Sequence, residues 1–287
     1  MRSYLFVPGD SPRKLEKALG SGADALIIDL EDSVAPSGKG EARRITAGFL
    51  AEAGKEAARP KLYVRVNDLA TGLTVLDLDA VMEAGPDGIV LPKALGGNDV
   101  SHLGAIIAVR EAEFGLPDGG TSIMAIGTET ARSVFLLGTF RGASHRLVGI
   151  AWGGEDLSAD LGAETNRGPD GHYTDPYRLA RSLTLMGAAS AEVDAIDTVY
   201  TSFKDIEGLT AECRAARRDG FSAKMAIHPA QVPVINDAFA PSDSEIAKAK
   251  AIVAAFADNP SAGVVAIDGE MIDMPHLKRA QRLLKRV

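Results

Sequence analysis

The chain has 287 residues, 46% of them hydrophobic, and a formal net charge of −8. That length suits a single closed α/β barrel with a large core, and the negative charge argues against nucleic acid or an anionic membrane as the main partner. A lone cysteine forms no intrachain disulfide, no apolar run nears the ~20 residues that span a bilayer, and "MRSYLFVPGD" has no secretory pattern, so a soluble cytoplasmic protein is expected.

Short β-rich runs alternate with helical ones. "YLFVP" (4–8) reads as the first strand, followed by "SPRKLEKALGSG", a helix with Ser11 as N-cap and Pro12 at its first position. Further strands are expected at "ALIIDLE" (25–31), "KLYVRVN" (61–67), "GIVLPK" (88–93), "SIMAIGTE" (122–129), "LVGIAWG" (147–153), "AIDTVY" (195–200) and "SAKMAIH" (222–228). They are mostly continuous in Val, Ile and Leu, as strands buried on both faces are. Residues 101–115 and 174–190 carry apolar groups at helical spacing. Cys213, in helical register, reads as a small core residue rather than a nucleophile. Eight strand–helix units predict an α/β fold, a (β/α)8 TIM barrel over residues 1–240. A doubly wound open sheet fits less well, because the Gly-rich phosphate turn after the first strand is missing. Residues 241–287 form a C-terminal extension: a helix (242–259), a strand pair or lid (262–273) and a last helix (274–287), expected to cover the barrel mouth or meet a neighbouring subunit.

Reactive groups of such barrels lie at the C-terminal ends of the strands. Those ends supply Asp29, Glu31 and Asp32, then Arg65 and Asn67, Lys93, Glu129, Glu155 and Asp156, and His228. Converging carboxylates repel unless a cation sits among them. Two carboxylates completed by water and a chelating substrate suit Mg²⁺, with Mn²⁺ as an alternative, and no Cys/His cluster points to zinc. Arg65 could bind a carboxylate or a developing oxyanion through its forked donors. Each residue also has a plain structural reading: Glu129 and Asp156 as helix N-caps or solvated loop residues, Arg65 and Lys93 as neutralisers of barrel-mouth acids, His228 as a hydrogen-bonding residue before Pro229.

"RSYLFVPGD" (2–10), "DLEDSVAP" (29–36), "VRVN" (64–67), "VLPKA" (90–94), "TET" (128–130), "WGGEDLSADLGA" (152–163), "IHPAQ" (227–231) and "GEMIDMPHLKRA" (269–280) resemble the citrate lyase beta subunit-like proteins of the HpcH/HpaI aldolase superfamily, relatives of malyl-CoA and citramalyl-CoA lyases. The resemblance implies a Mg²⁺-dependent (β/α)8 enzyme that forms homotrimers or hexamers. It assigns metal binding to Glu129 and Asp156, an active-site arginine to Arg65, and a catalytic lid acid, contributed from an adjacent subunit, to Asp273. The implied reaction is reversible carbon–carbon cleavage of a 3-hydroxyacyl-CoA into acetyl-CoA and an oxo acid, glyoxylate or pyruvate. The alternatives are the beta subunit of citrate lyase acting on a carrier-protein thioester, a malyl-CoA thioesterase, an aldolase of free oxo acids, and a barrel that binds without catalysis. For the CoA phosphates, Arg2, Arg13, Lys14, Lys39 and Arg43 are candidate contacts, and Arg65 and Lys93 are further candidates for binding the substrate or CoA.

Overall fold

In the computed structural model, which describes residues 1–267 and 269–285, the eight apolar runs form β1 (Ser3–Pro8), β2 (Ala25–Asp29), β3 (Lys61–Arg65), β4 (Gly88–Leu91), β5 (Ser122–Ile126), β6 (Leu147–Ala151), β7 (Asp194–Asp197) and β8 (Ala223–Ala226). Each pairs in parallel with the next, and β8 returns to β1 through Ser3↔Lys224 and Leu5↔Ala226, so the sheet closes into a (β/α)8 barrel. The helices of this unit are α1 (Pro12–Leu19), α2 (Lys39–Ala53), α3 (Thr74–Val81), α4 (Gly97–Phe114), α5 (Ala131–Val134), α6 (Gly154–Leu161), α7 (Asp175–Ala191), α8 (Ile206–Asp219) and α9 (Val232–Phe239). Among the described residues no helix is long and apolar enough to cross a membrane.

Alternation along the strands divides the buried side chains between two cores. Tyr4, Ile27, Tyr63, Val90, Met124, Ile126, Ile196 and Met225 fill the barrel interior. Their neighbours Leu5, Leu26, Ile28, Leu62, Val64, Ile89 and Ile150 pack between barrel and helices. The interior is tight: a Cβ on Gly88 would stand 2.3 Å from the Tyr63 ring, so β4 must begin without a side chain.

β1 ends at Pro8 as expected, but the other seven strands end two or three residues short of the apolar runs. Val66, Trp152 and Thr128 are buried but lie beyond the ladders. Burial continues where the chain turns over the mouth, and hydrophobic pattern alone does not separate a buried strand from a buried loop.

The chain divides into two compact units, Met1–Phe239 and Ala240–Val287. In the second, α10 (Asp243–Asp258) starts at a capping box built by Ser242 and Glu245. β9 (Val264–Ile267) and β10 (Glu270–Asp273) form an antiparallel pair, followed by α11 (Met274–Leu284). Its own small core gathers Ile252, Phe256, Ile272 and Ala280. The last expected residues of the final helix, 286–287, lie outside the described residues.

Candidate active site

Asp29 and Arg65 end neighbouring strands in direct register, on the interior face shared with Ile27 and Tyr63. Arg65 Nε and Nη2 donate to the two Asp29 oxygens, each at 2.7 Å, a bidentate pair that fixes the guanidinium plane. The Phe6 ring lies 4.8 Å from its central carbon. Burial alone would push the Asp29 carboxyl up, but Arg65 and the amides of Glu31 and Ser33 hold it below the usual range. Arg65 is likewise held more firmly protonated than a free arginine, Asp29 outweighing its desolvation. Nη1 lies 2.9 Å from Glu31 Oε2.

Glu129 follows β5 and is buried, its Oε2 accepting the backbone N–H of Lys93. That N–H points inward because Lys93 adopts φ +50°, a left-handed conformation a lysine rarely takes and one that marks functional sites. The same turn sends the Lys93 ammonium to Glu31 Oε1 (2.5 Å), Asp32 Oδ2 (3.3 Å) and Asp156 Oδ1 (3.3 Å). Asp156 sits half-buried in the first turn of α6. Glu155 beside it is exposed and accepts from Asn166, so the two acids of "GGED" part company. The glycines before them have a steric cause: a Cβ on Gly153 would lie 2.6 Å from Glu129 Cγ.

Burial and the nearby Asp156 charge push the Glu129 carboxyl up to about 8, despite the Lys93 N–H. A buried acid whose proton affinity is raised by a neighbouring carboxylate is relieved by a cation between the two, and here the Lys93 ammonium already stands against Asp156. Among the described residues no group of three or more His, Cys, Asp or Glu is arranged to hold a metal. Glu129 and Asp156 are a pair of carboxylates that water and substrate oxygens would complete. That donor set fits Mg²⁺.

Several expected contacts lie elsewhere. Arg2 precedes β1, at the N-terminal end of the barrel and opposite the site, and is clamped by Asp24 at 2.9 Å; it is no part of this mouth. Lys39 donates to the carbonyls of Leu30 and Glu31, each at 2.7 Å, and so ties down the loop after β2 rather than offering a free charge. Arg43 is bonded to Asp77. Lys93, expected at the substrate, is spent on the acids just named. Arg13 and Lys14 are exposed in the first turn of α1, at the C-terminal end of β1. Asn67 joins Leu30 to Asp77, which ties the loop after β2 to α3. His228 caps the short Pro229–Gln231 turn and stacks on Phe203, with ring centroids 4.9 Å apart. Cys213 is buried on α8, its thiol pushed up to about 12 by desolvation, which is no setting for a nucleophile.

In the second unit, Asp273 ends β10 and its Oδ1 lies 2.5 Å from His276 Nδ1. Hydrogen bonding to His276 holds this exposed carboxyl below its ordinary range. Sequence reasoning missed this histidine partner, the role of Asp29 as the clamp on Arg65, and the Phe6 ring. The period-2 alternation Tyr4–Phe6 was the signal that could have found the ring.

A family model described as HpcH/HpaI aldolase/citrate lyase matches residues 2–229. The citrate lyase subunit beta of Leuconostoc mesenteroides is 36% identical, over 99% of this chain and 92% of its own length. A (3S)-malyl-CoA thioesterase of Cereibacter sphaeroides is 37% identical, over 99% of this chain and 93% of its own. The crystal structure of protein CitE from Mycobacterium tuberculosis, in complex with magnesium, acetoacetate and coenzyme A, is similar with a TM-score of 0.75 and 33% identity, covering 99% of this chain and 97% of that one.

Proposed function

Because the chain belongs to the HpcH/HpaI aldolase/citrate lyase family, we propose that it is a Mg²⁺-dependent carbon–carbon lyase that cleaves or forms a 3-hydroxyacyl-CoA, such as malyl-CoA or citramalyl-CoA. Its products would be acetyl-CoA and glyoxylate or pyruvate. The observation that carries this reading is the convergence of Arg65, Glu129 and Asp156 at one barrel mouth, where acids outnumber cations.

Glu129 and Asp156 would hold Mg²⁺, which supplies Lewis acidity toward the carboxylate and hydroxyl oxygens of the substrate. Arg65 presents a guanidinium already oriented by Asp29, so stabilising negative charge as the bond breaks requires little reorganisation. Asp273 is the group that moves a proton at the carbon of the thioester enolate. In the condensing direction it acts as a base, for which an ionised carboxyl held low by His276 is the right resting state. The lid bearing it is supplied by an adjacent subunit of a homotrimer or hexamer, a reading supported by Met271 and Met274 standing exposed on either side of it. Exposed Lys14 and Arg13 are suited to the CoA phosphates.

The test is purified protein with Mg²⁺, acetyl-CoA and either glyoxylate or pyruvate, followed by mass spectrometry of CoA esters and free thiol. A new hydroxyacyl-CoA is expected, and the preferred acid names the substrate. The similarity to a malyl-CoA thioesterase favours a second reading, in which free CoA accumulates after condensation. Turnover only with an acyl-carrier-protein thioester would instead align the chain with the citrate lyase beta subunits.

A further inference from the structure

Cleavage of a β-hydroxy thioester needs a base for the hydroxyl proton, and neither the metal pair nor the lid acid serves that end of the bond. We propose that Glu31 is this base, receiving the substrate's hydroxyl proton on Oε2. The inference rests on the lyase reading above.

Elimination among the acids of the mouth leads to it. Asp29 has both oxygens committed to Arg65 and to the amides of Glu31 and Ser33. Glu129 and Asp156 are the cation-binding pair, and Asp32 is exposed. Lys93 is held protonated by Glu31 and Asp156 against its own desolvation, so it has no lone pair to offer. Glu31 is 5% exposed, and its Oε2 is, among the described residues, the sole buried carboxylate oxygen without a hydrogen bond. Arg65 Nη1 pairs with that oxygen electrostatically at 2.9 Å but is not aligned to donate to it. A buried acceptor without a hydrogen bond is costly to the fold, and such a cost persists where a ligand completes the bond.

The surroundings are built to present that oxygen. The Glu31 amide donates to Asp29 at 2.9 Å, its carbonyl and that of Leu30 are held by Lys39, and Asn67 takes the Leu30 carbonyl from the other side. Oε1 is fixed by Lys93. Backbone and one oxygen are thus immobilised from three elements, while the other oxygen, buried and 2.9 Å from Arg65 Nη1, is left without a hydrogen bond. Burial raises the Glu31 carboxyl, with Arg65 and Lys93 limiting the rise, which moves it toward the range of a useful base.

The step balances. The substrate O–H bond breaks and its proton goes to Oε2. The O–H electrons form the carbonyl of the oxo acid, and the C–C pair passes into the thioester enolate. Asp273, ionised at rest, takes up a proton from solvent before the step and delivers it to the enolate carbon, which returns it to its ionised state. Loss of the Oε2 proton to solvent then restores Glu31.

The experiment compares wild type, Glu31→Gln and Glu31→Ala in three assays: cleavage of malyl-CoA and citramalyl-CoA, Mg²⁺ binding by calorimetry, and solvent deuterium uptake into the methyl group of acetyl-CoA with Mg²⁺. The Gln variant is expected to lose ~100-fold or more in cleavage, while Mg²⁺ affinity and methyl exchange, which depend on Asp273, stay within about threefold. Added formate should restore part of the cleavage in Glu31→Ala. Cleavage within threefold of wild type in Glu31→Gln overturns the assignment. So does equal loss of cleavage and exchange, which would make Glu31 a support for Arg65 instead. A wild-type protein silent in both cleavage and exchange overturns the lyase reading itself, and is told apart because no substitution is involved.

Discussion

Two cross-strand pairs of a carboxylate and a cation are built into this barrel, and they face opposite ways. Asp197 on β7 and Lys224 on β8 stand in register on the outer face, fully buried against the helices. Lys224 bonds Asp197 at 2.7 Å and Glu212 at 2.8 Å, Trp152 Nε1 takes the second Asp197 oxygen at 2.7 Å, and Arg167 takes the other oxygen of Glu212 at 2.9 Å. Every oxygen is spoken for. Asp29 and Arg65, on the inner face at the mouth, begin the same way but are joined by Glu31, Asp32, Glu129 and Asp156, with Lys93 as a further cation. A closed network holds structure together, whereas one with surplus charge, a left-handed lysine and an unbonded oxygen is prepared for a ligand.

The sharpest way to break that contrast is to disable both networks. Lys224→Met should destabilise the fold by ~3–5 kcal/mol, because buried Asp197 and half-buried Glu212 lose the cation they share and Asp197 is left with Arg181, at 3.5 Å. Glu129→Gln and Asp156→Asn should leave urea midpoints near wild type yet abolish Mg²⁺-dependent turnover. If the two mouth variants unfold as readily as Lys224→Met, the mouth is structural and the distinction fails.

Next comes Gly153→Ala. The new Cβ would stand 2.6 Å from Glu129 Cγ, so Glu129 must move while little else does. Mg²⁺ affinity should fall ~10–100-fold, as when ligand support is disturbed, with thermal stability nearly unchanged. Unaltered binding by calorimetry would show that Glu129 is not a ligand.

The proton held by Glu129 sets a pH test. Its folded carboxyl lies at about 8, against ~4.3 for an unfolded glutamate. The folded protein binds this proton more tightly, so the group's contribution to stability is complete below the unfolded value and is lost as pH rises toward 8. In the metal-free protein, the stability difference between wild type and Glu129→Gln should shift against wild type across that window, and Mg²⁺ should cancel the shift. Mg²⁺ must displace the proton, so its affinity should rise about tenfold per pH unit up to about 8 and then level off. A flat profile from pH 6 to 9 would place the proton elsewhere.

Strand count, barrel closure and the charged C-terminal ends were readable because buried parallel strands write themselves as short Val/Ile/Leu runs with acids just beyond them. What could not be read was direction. Asp29 and Asp197 both end apolar runs, and with both faces of the sheet buried no alternation tells the inward acid from the outward one. Lys93 could be read either as a substrate contact or as a neutraliser of mouth acids, because a left-handed backbone at a lysine leaves no trace in residue type. The open oxygen of Glu31 depends on the angle of one guanidinium.

The smallest effect separates the two ends of β1, which sequence proximity had merged. Lys14 is exposed at the end leading to the mouth, whereas Arg2 is held by Asp24 at the other. A single exposed charge on a CoA phosphate is worth at most about 1 kcal/mol. Lys14→Ala should therefore raise KM for the CoA ester by roughly two- to fivefold at low salt, with kcat unchanged and the effect fading as ionic strength rises. Arg2→Ala should leave KM untouched at every salt concentration. A salt-sensitive KM change in Arg2→Ala, matching that of Lys14→Ala, would mean that long-range attraction by the whole surface, rather than a contact at the C-terminal rim, recruits the ester.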